Sequence, residues 1–486
     1  MEQLLTLFPQ VNFDSSMVKI LTPLLILTAG GTLNLILSAS KKLKGLNFPF
    51  AALILCLSIF FSVSNFSGGV TSLSGGILYF DFYSSILSIM LLGFTLLALF
   101  LFSAQASKEF VPEEIYPLTL FSVAGAILLV TTQHLLFMFI ALEIMSLAVY
   151  VMVAIRRESR FGAEAAMKYF VLGGLASALF LYGSSLIFGV SGSFVLSKIV
   201  SVPLGSPLFL MGSLLVLTGV LFKAGAFPFH TWIPDVYQGA MLSVTGYMGT
   251  VIKLAAFGIL LRFSPLFLKV PFLFEILSVV AILTMLIGNF AALVQKDMKR
   301  LLAYSSISHT GYLLVGVLAV LKDPAHLSAV IIYLILYGFS NLGAFAALAE
   351  LGSDKGEKDV TLLSLEGVAA SKPLLAGSLS FFLLGMAGIP LTSGFIGKYL
   401  IFSSAVSSGL VPIVVVAILT SLVSVYYYFK IIVAMFMKET TEPHLGMSLG
   451  FGTVMVAFVG VVVILSMGIF PQPIMQFFSE NALKIY

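Results

Sequence analysis

Seven charged or titratable side chains stand inside stretches of the sequence that are otherwise apolar. They are Glu143, Lys168, Lys223, Lys253, His309, Lys398 and Lys430. Holding a charge at the centre of a bilayer costs about 2.5–3.5 kcal/mol on insertion scales, so such residues are rare and mark ion pathways and proton relays. Carboxylate, ammonium and imidazole groups each bind and release a proton. The pattern therefore predicts an ion path through a membrane, with protons as the expected ion.

Glu143 has no other charged residue in its own apolar stretch, residues 139–147. Its partner must come from another helix, and Lys223 is the natural candidate. An ion pair in a medium of low dielectric lowers the cost of both charges and makes the protonation of each depend on the other. We therefore expect a direct carboxylate–ammonium pair that gates the path.

Lys253 and Lys398 extend the predicted path, and His309 is the expected relay between them. A histidine with a near-neutral pKa passes protons in either direction. His309 also stands in a polar patch, residues 305–312. A buried hydrogen bond between helices is therefore the alternative interpretation of this histidine.

Lys168 and Lys430 lie within a turn or two of predicted helix ends. A lysine in that position either joins the path or extends its long side chain to the membrane surface. His230 follows Pro228 in a stretch that interrupts a helical pattern. Interrupted helices in membranes expose backbone groups only inside protein or along a water-filled cavity. We therefore expect His230 near an aqueous end of the path, with a simple proline kink as the alternative.

The composition places the chain among membrane proteins. Of its 486 residues, 59% are hydrophobic and only 9% are charged, where an average soluble domain has about a quarter charged residues. The net charge of +4 is small, and basic residues stand in short loops, so no nucleic acid is expected as a partner. The single cysteine, Cys56, excludes a disulfide framework and a cysteine-held zinc or iron–sulfur site within this chain. Five scattered histidines predict no metal site, and residues 1–16 show no cleaved signal peptide.

Apolar runs separated by short polar segments predict an all-α, polytopic membrane protein with about fourteen transmembrane helices. The predicted spans are 17–38, 48–65, 80–103, 115–132, 134–155, 164–189, 207–236, 240–262, 272–294, 300–320, 327–350, 373–403, 410–436 and 449–470. Spans 7 and 12 are longer than one crossing needs, and both contain Gly and Pro near their middle, at Pro228 and Pro390. Both are therefore predicted to be broken helices.

An internal repeat links the two broken spans. Residues 224–233 align with residues 387–396 with a one-residue gap, and each copy has a lysine beside it, Lys223 or Lys398. The two copies are five spans apart, so they cross the membrane in opposite directions. That arrangement is typical of an inverted-topology repeat.

Basic residues in the loops predict the orientation, because cytoplasmic loops retain Lys and Arg. Odd-numbered loops carry Lys41, Lys42, Lys44, Lys108, Arg156, Arg157, Arg160, Lys296, Lys299, Arg300, Lys355, Lys358, Lys372 and Lys438. Even-numbered loops carry Lys198, Arg262, Lys269 and Lys322. The asymmetry predicts odd loops in the cytoplasm and both termini outside.

Four segments resemble the antiporter-like membrane subunits of respiratory complex I. They read EAAMKYFVLGGLASA (164–178), FKAGAFPFHTWIPDVYQG (222–239), LLAYSSISHTGY (301–312) and GIPLTSGFIGK (388–398). The resemblance covers nearly the whole chain. The form of Trp232–Gly239 is closest to subunit N of NADH–quinone oxidoreductase, and no long C-terminal extension of the subunit L kind is present.

The resemblance implies an N-terminal three-helix segment (1–110) and a first antiporter-like repeat (111–265, spans 4–8). A second, inverted repeat (266–440, spans 9–13) and a C-terminal helix (441–486, span 14) would follow. It implies a proton-path role for Glu143 with Lys223, for Lys253 as the bridging lysine and for Lys398 on the exit side. Lys168 and His309 also occupy family motif positions.

The resemblance also implies that this chain carries no cofactor of its own. NADH, FMN, iron–sulfur clusters and quinone would belong to partner subunits. The expected partners are paralogous antiporter-like subunits, other membrane subunits, peripheral redox subunits and the lipid bilayer of the cell membrane.

Three alternatives remain open at this point. Residues 241–244 read Met-Leu-Ser-Val where the family usually has Pro-Thr-Pro-Val, so a related complex with another electron donor or acceptor fits as well. A subunit of a multi-subunit sodium/proton antiporter would have the same fold. A structural membrane scaffold with idle charges would need no proton path at all.

Overall fold

The computed structural model describes residues 15–40, 42–66, 71–73, 77–108, 110–156, 159–201, 206–352, 360–439 and 450–482. Its first ten helices are α1 (Ser15–Ala39), α2 (Asn47–Ser64), α3 (Phe82–Ala106), α4 (Ile115–Thr131), α5 (Leu135–Val153), α6 (Arg160–Ser191), α7 (Leu196–Val200), α8 (Pro207–Ala224), α9 (Trp232–Gly239) and α10 (Leu242–Tyr247). The next eleven are α11 (Lys253–Arg262), α12 (Ser264–Lys269), α13 (Pro271–Leu293), α14 (Met298–Lys322), α15 (Leu327–Gly352), α16 (Val368–Ser371), α17 (Pro373–Ala387), α18 (Ser393–Ser407), α19 (Val411–Met437), α20 (Phe451–Ile469) and α21 (Gln472–Ala482).

The fourteen predicted spans are confirmed. Twelve helical segments of the described chain are long and apolar enough to cross a membrane, and α4 and α17 are two shorter apolar helices. Their ends lie close to the predicted ones, because long apolar runs leave few alternatives. In lipid, a segment must satisfy its backbone hydrogen bonds internally, and a single helix does so. The chain is therefore a multi-pass membrane protein.

Burial separates central helices from peripheral ones. Of the eighteen residues in the most apolar stretch of each span, 100% are buried in Leu242–Arg262 and 94% in Met298–Lys322. The buried share is only 28% for Asn47–Ser64 and for Phe451–Ile469. A helix surrounded by other helices can present polar side chains to protein on every side, whereas a peripheral helix faces lipid. The central positions belong to the span α10–α11, to α14 and to α15, whose span is also 94% buried.

Both predicted broken spans are present and end their first half in the same way. Gly225 (φ 76) follows α8 and Gly388 (φ 81) follows α17, each in the left-handed conformation that favours glycine. The backbone N–H of Gly225 donates to Leu221 O at 2.9 Å, and that of Gly388 donates to Leu384 O at 3.0 Å. The second halves of the two spans are α9 and α18. Two equivalent breaks, five spans apart, fit the inverted-repeat architecture.

A short antiparallel hairpin precedes α3, with β1 (Thr71–Leu73) paired to β2 (Leu78–Phe80). Residues 67–70 and 74–76 lie outside the described residues. Asp81 then caps α3, its carboxylate accepting from the backbone N–H of Ser84 at 2.7 Å.

Of the basic residues used to predict orientation, Lys41, Arg157, Lys355 and Lys358 lie outside the described residues. The prediction that Arg262 is a loop charge is wrong. Arg262 is the last residue of α11 and is buried. Its guanidinium donates two hydrogen bonds to the Asp81 carboxylate, of 2.5 and 2.8 Å. Removing Arg262 from the loop count leaves even fewer basic residues in the even-numbered loops.

Candidate proton path

Lys223 lies in the last turn of α8, two residues before the glycine that ends the helix. It is 4% exposed, and its Nζ donates a hydrogen bond of 3.0 Å to the Tyr150 hydroxyl on α5. The rings of Tyr150, Tyr169 and Phe222 lie 5.1, 5.3 and 5.5 Å from the same Nζ. Aromatic faces attract an ammonium group, so these rings stabilise Lys223 in the apolar interior.

Trp232, the first residue of α9, closes this aromatic site from the other side of the break. Its ring stacks on Tyr169, with 4.3 Å between the centroids and 12° between the planes. Its indole N–H donates at 3.1 Å to Phe222 O, in the last helical turn, where regular backbone partners run out. The two halves of span 7 are therefore held together beside Lys223.

The expected ion pair between Glu143 and Lys223 is absent from the structure. These two described side chains do not come within the 4.0 Å of an ion pair, and Glu143 Oε1 is buried without a hydrogen-bond partner. The direct pair is therefore wrong for this structure, because Tyr150 takes the position beside the ammonium.

Tyr150 is a site residue that the sequence did not reveal. It stands seven residues after Glu143 on α5, and side chains seven apart share one face of a helix. That spacing was the available signal. It was hidden because tyrosine is common in apolar helices and carries no charge.

Lys253 begins α11, directly after a π-helical turn, Met248–Ile252. It is 4% exposed, and its Nζ lies 2.5 Å from both the carbonyl and the hydroxyl oxygen of Ser306 on α14. The ring of Tyr337 lies 5.1 Å from Nζ. A hydroxyl partner both accepts and donates hydrogen bonds, unlike a carboxylate. Lys253 therefore has a partner that is able to pass a proton on.

Asn341 of α15 stabilises the π-helical turn. Its Nδ2 donates to the Thr250 hydroxyl at 3.0 Å and to Gly246 O at 3.4 Å. A Cβ added to Gly249 would lie 2.6 Å from this nitrogen, so the amide reaches the turn only beside a glycine. π-Turns are rare and often lie at functional sites. This one sets the direction in which Lys253 leaves its helix.

Thr310 of α14 connects the break in span 7 with the Lys253 site. Its hydroxyl donates to Ala224 O at 2.9 Å and lies 3.2 Å from Ser306 O. Ala224 is the residue after Lys223, and Ser306 accepts from Lys253. The two lysine sites therefore meet on one short polar stretch of α14.

His309 lies on α14, and each of its two ring nitrogens is hydrogen-bonded to a tyrosine. Its Nδ1 lies 2.6 Å from the Tyr333 hydroxyl on α15, and its Nε2 lies 3.3 Å from the Tyr428 hydroxyl on α19. The Tyr428 hydroxyl also bonds to Ser305. His309 therefore joins three helices, and every hydrogen bond of its ring leads to a hydroxyl group.

Lys398 lies on α18, beyond the break in span 12. Its Nζ donates to Ala387 O and to the Ser421 hydroxyl, both at 2.8 Å. Ala387 is the last residue of α17, so the ammonium satisfies a carbonyl that the break leaves free. A cavity of about 10 Å³, which is room for roughly one water, is lined by both His309 and Lys398. The structure thus brings these two predicted residues together.

The chain matches, over residues 132–424, the family model described as "NADH:quinone oxidoreductase/Mrp antiporter, TM". It belongs to this family. It is 42% identical over 382 residues to the NADH-quinone oxidoreductase subunit N of Mycobacterium tuberculosis, covering 76% of this chain and 71% of the relative. It is also 42% identical over 403 residues to an NADH-quinone oxidoreductase subunit N of Streptomyces griseus, covering 79% and 72%.

Three solved structures have the same fold as this chain. A chain of respiratory complex I from Thermus thermophilus superposes with a TM-score of 0.80 at 33% identity, covering 93% of this chain and 98% of the other. A chain of an archaeal membrane-bound sulfane sulfur reductase gives 0.84 at 25% identity, covering 96% of each. A chain of the Mrp complex from Dietzia gives 0.86 at 22% identity and 98% coverage of each, a likeness of fold alone.

Lys168 lies apart from the buried lysines Lys223, Lys253 and Lys398. Its side chain is 44% exposed, and its Nζ lies 2.8 Å from Glu164 and 2.9 Å from Asp235. Arg300 pairs with the same Asp235 at 2.8 Å. Lys168 is therefore part of a surface ion cluster, which favours the interpretation that its side chain extends to the surface.

The remaining two candidates have no ionic partner within the part of the chain that the structure describes. Lys430 is half-buried on α19 and makes no hydrogen bond there. His230 is buried in the break of span 7, with its ring 5.7 Å from that of Phe227 and its Nδ1 without a hydrogen-bond partner. Neither residue is connected to the lysine sites by a hydrogen bond.

Proposed function

We propose that this chain is a proton-translocating membrane subunit of an NADH–quinone oxidoreductase type of complex. The relatives that carry the name subunit N, at about 42% identity over some three quarters of this chain, support the type of complex. Electron transfer would take place in partner subunits, which would hold NADH, FMN, iron–sulfur clusters and quinone. The sequence of this chain, with its single cysteine, offers no cysteine ligand set for a cluster.

One observation carries the proton path. Lys223, Lys253 and Lys398 are all buried, and no carboxylate of the described residues lies within 4.0 Å of any of their ammonium groups. A buried charge without a counter-ion is unstable. Each lysine would therefore exchange its proton readily when its surroundings change, as a proton carrier must.

The proposed route begins at Glu143 and passes to Lys223, then to Lys253, His309 and Lys398. Hydrogen bonds to hydroxyl groups support the route at three of its residues: Lys223 bonds to Tyr150, Lys253 to Ser306, and His309 to two tyrosines. A conformational or electrostatic change from the redox subunits would alter the interaction of Glu143 with Lys223. The proton would then leave Lys223 and move on along the route.

The organisation of the chain in the membrane is part of the proposal. The two repeats would comprise residues 111–265 and 266–440, between an N-terminal segment, 1–110, and a C-terminal helix, 441–486. The matching glycine ends of α8 and α17 support this division. Both termini would lie outside the cytoplasm, an orientation supported by the basic residues of the odd-numbered loops.

Variants in the assembled complex test this function. Lys223→Gln and Glu143→Gln should each lower redox-driven acidification of vesicles while the complex still contains this subunit. Lys322→Gln, at an exposed helix end, is the matched control for the loss of a lysine. Full pumping by both path variants would contradict the proposal and support a structural scaffold.

The composition of the purified complex separates the remaining alternatives. Peripheral flavin and iron–sulfur subunits that co-purify with this chain are expected. A complex of membrane subunits alone, with sodium/proton exchange, would support the antiporter instead. The likeness to the Mrp complex at 22% identity concerns the fold and does not favour that outcome.

A further inference from the structure

The Tyr150 hydroxyl stands beside the first lysine of the proposed path. Tyr150 is 5% exposed, and its hydroxyl oxygen accepts the hydrogen bond of 3.0 Å from Lys223. Its ring packs edge-to-face against the rings of Tyr169 and Phe170, with centroid-to-centroid distances of 4.6 and 5.7 Å. The hydroxyl therefore has one well-defined position in the site.

Tyr150 also faces Glu143. Glu143, Ser146 and Tyr150 follow one another at three and four residues along α5, the spacing that puts side chains on one face of a helix. Long aromatic side chains in helices lean towards the N-terminus, which here is the direction of Glu143. Glu143 Oε1 is buried and accepts no hydrogen bond, so it is free to receive one.

Gly173 on α6 leaves the space that the hydroxyl occupies. A Cβ at this position would lie 2.0 Å from the Tyr150 hydroxyl oxygen and 2.8 Å from the ring carbon that carries it. Any other residue would displace the hydroxyl. A tyrosine and a glycine on neighbouring helices thus fix one oxygen atom beside the buried Lys223, on the face of α5 that also carries Glu143.

We propose that the Tyr150 hydroxyl is the proton relay between Lys223 and Glu143. In the transfer, the Lys223 ammonium gives a proton to the Tyr150 oxygen while the Tyr150 O–H gives its own proton to the Glu143 carboxylate. Lys223 becomes a neutral amine, Glu143 a neutral carboxylic acid, and Tyr150 is a neutral phenol before and after. The reverse transfer restores the charged pair. This inference rests on the proposed proton path and adds the group that would connect its first two residues.

Tyr150→Phe is the first test, made in the assembled complex in vesicles. It keeps the ring beside Lys223 and removes only the hydroxyl, and we expect redox-driven acidification to fall by about tenfold or more. Tyr116→Phe on α4 removes another buried tyrosine hydroxyl that is not part of the path, and it should pump normally. Subunit content of the purified complex verifies that both variants assemble.

The same measurement on Lys223→Gln separates this inference from the proposed function. Loss of pumping in Lys223→Gln together with normal pumping in Tyr150→Phe overturns the relay and leaves the path intact. Normal pumping in both overturns the path itself. Loss in both supports the relay.

Two further variants distinguish a relay from a residue that only holds Lys223 in place. Gly173→Ala should reproduce the loss by displacing the hydroxyl, and it should add little in a Tyr150→Phe background, because both remove the same oxygen. A difluorotyrosine incorporated at position 150 keeps the hydroxyl but makes it more acidic. A relay predicts that the pH dependence of pumping shifts with this analogue. An unchanged pH profile, or fully additive losses, would overturn the relay.

Discussion

The Lys253 ammonium contacts Ser306 twice, because its Nζ lies 2.5 Å from both the carbonyl and the hydroxyl oxygen of this serine. The two residues are 53 positions apart in the chain, and their helical spans, Leu242–Arg262 and Met298–Lys322, are 100% and 94% buried in their most apolar stretch. The serine hydroxyl is thus one of two equally close acceptors of Lys253, and it is the one that a substitution can remove. Removing this hydroxyl should lower proton pumping more than it lowers the stability of the fold.

Ser306→Ala tests that contact. A hydrogen bond to a charged group is worth about 1.5–3 kcal/mol, so we expect redox-driven pumping to fall by about tenfold. Pumping of the reconstituted complex is the measurement. Ser403→Ala, whose exposed hydroxyl donates only within its own helix at 3.1 Å, is the control. Equal pumping by the two variants would contradict a role for the Ser306 hydroxyl.

Gly388→Ala tests the broken span 12. The left-handed backbone at φ 81 adds strain of about 1–3 kcal/mol for any other residue, and the new Cβ would lie 2.9 Å from Lys398 Cδ. We expect both lower thermal stability and lower pumping. Gly409→Ala is a matched control, because Gly409 has φ 77 and no atom within 4 Å of an added Cβ. It should lose similar stability and keep its pumping, and an equal functional loss would count against the Lys398 contact.

Asn341→Leu tests the π-helical turn before Lys253. The variant removes the donor to Thr250 and Gly246 and should destabilise the complex by about 1–3 kcal/mol. Pumping should fall as well, since the turn sets the direction of Lys253. Thr250→Val removes the hydroxyl partner, and the double variant should be less impaired than the sum of the two. Thermal unfolding and pumping measured together give the answer, and strict additivity would argue against the shared contact.

Asp81→Asn tests a buried ion pair that lies outside the path. Asp81 accepts two hydrogen bonds from the buried Arg262, and breaking such a pair typically costs about 3–5 kcal/mol. We expect poor assembly or a much lower unfolding temperature. Lys168→Gln breaks the exposed pairs with Glu164 and Asp235 and should change stability by no more than about 1 kcal/mol. A similar loss in both variants would contradict this contrast between buried and exposed pairs.

The membrane spans could be predicted from the sequence because the property that forms them is local. A run of about twenty apolar residues in lipid must become a helix, so the composition of each run already decides the outcome. Gly225 and Gly388 likewise end their helices by a preference of the residue itself. The buried charges could be predicted for the same reason. A lysine in the middle of an apolar run lies inside the membrane span that the run forms.

The partners of those charges were decided only by the tertiary structure. Lys223 bonds to Tyr150, 73 residues away, and not to Glu143, and His309 bonds to Tyr428, 119 residues away. Charge alone suggested the Glu143 carboxylate as the partner of Lys223. In the structure the partner is the neutral hydroxyl of Tyr150, which lies on the same helix as Glu143. Such a contact depends on how helices distant in sequence pack together, and the order of residues along one helix does not determine it. The sequence determined where the chain crosses the membrane and which charges it carries inside, and the packing of the helices determined which group each charge meets.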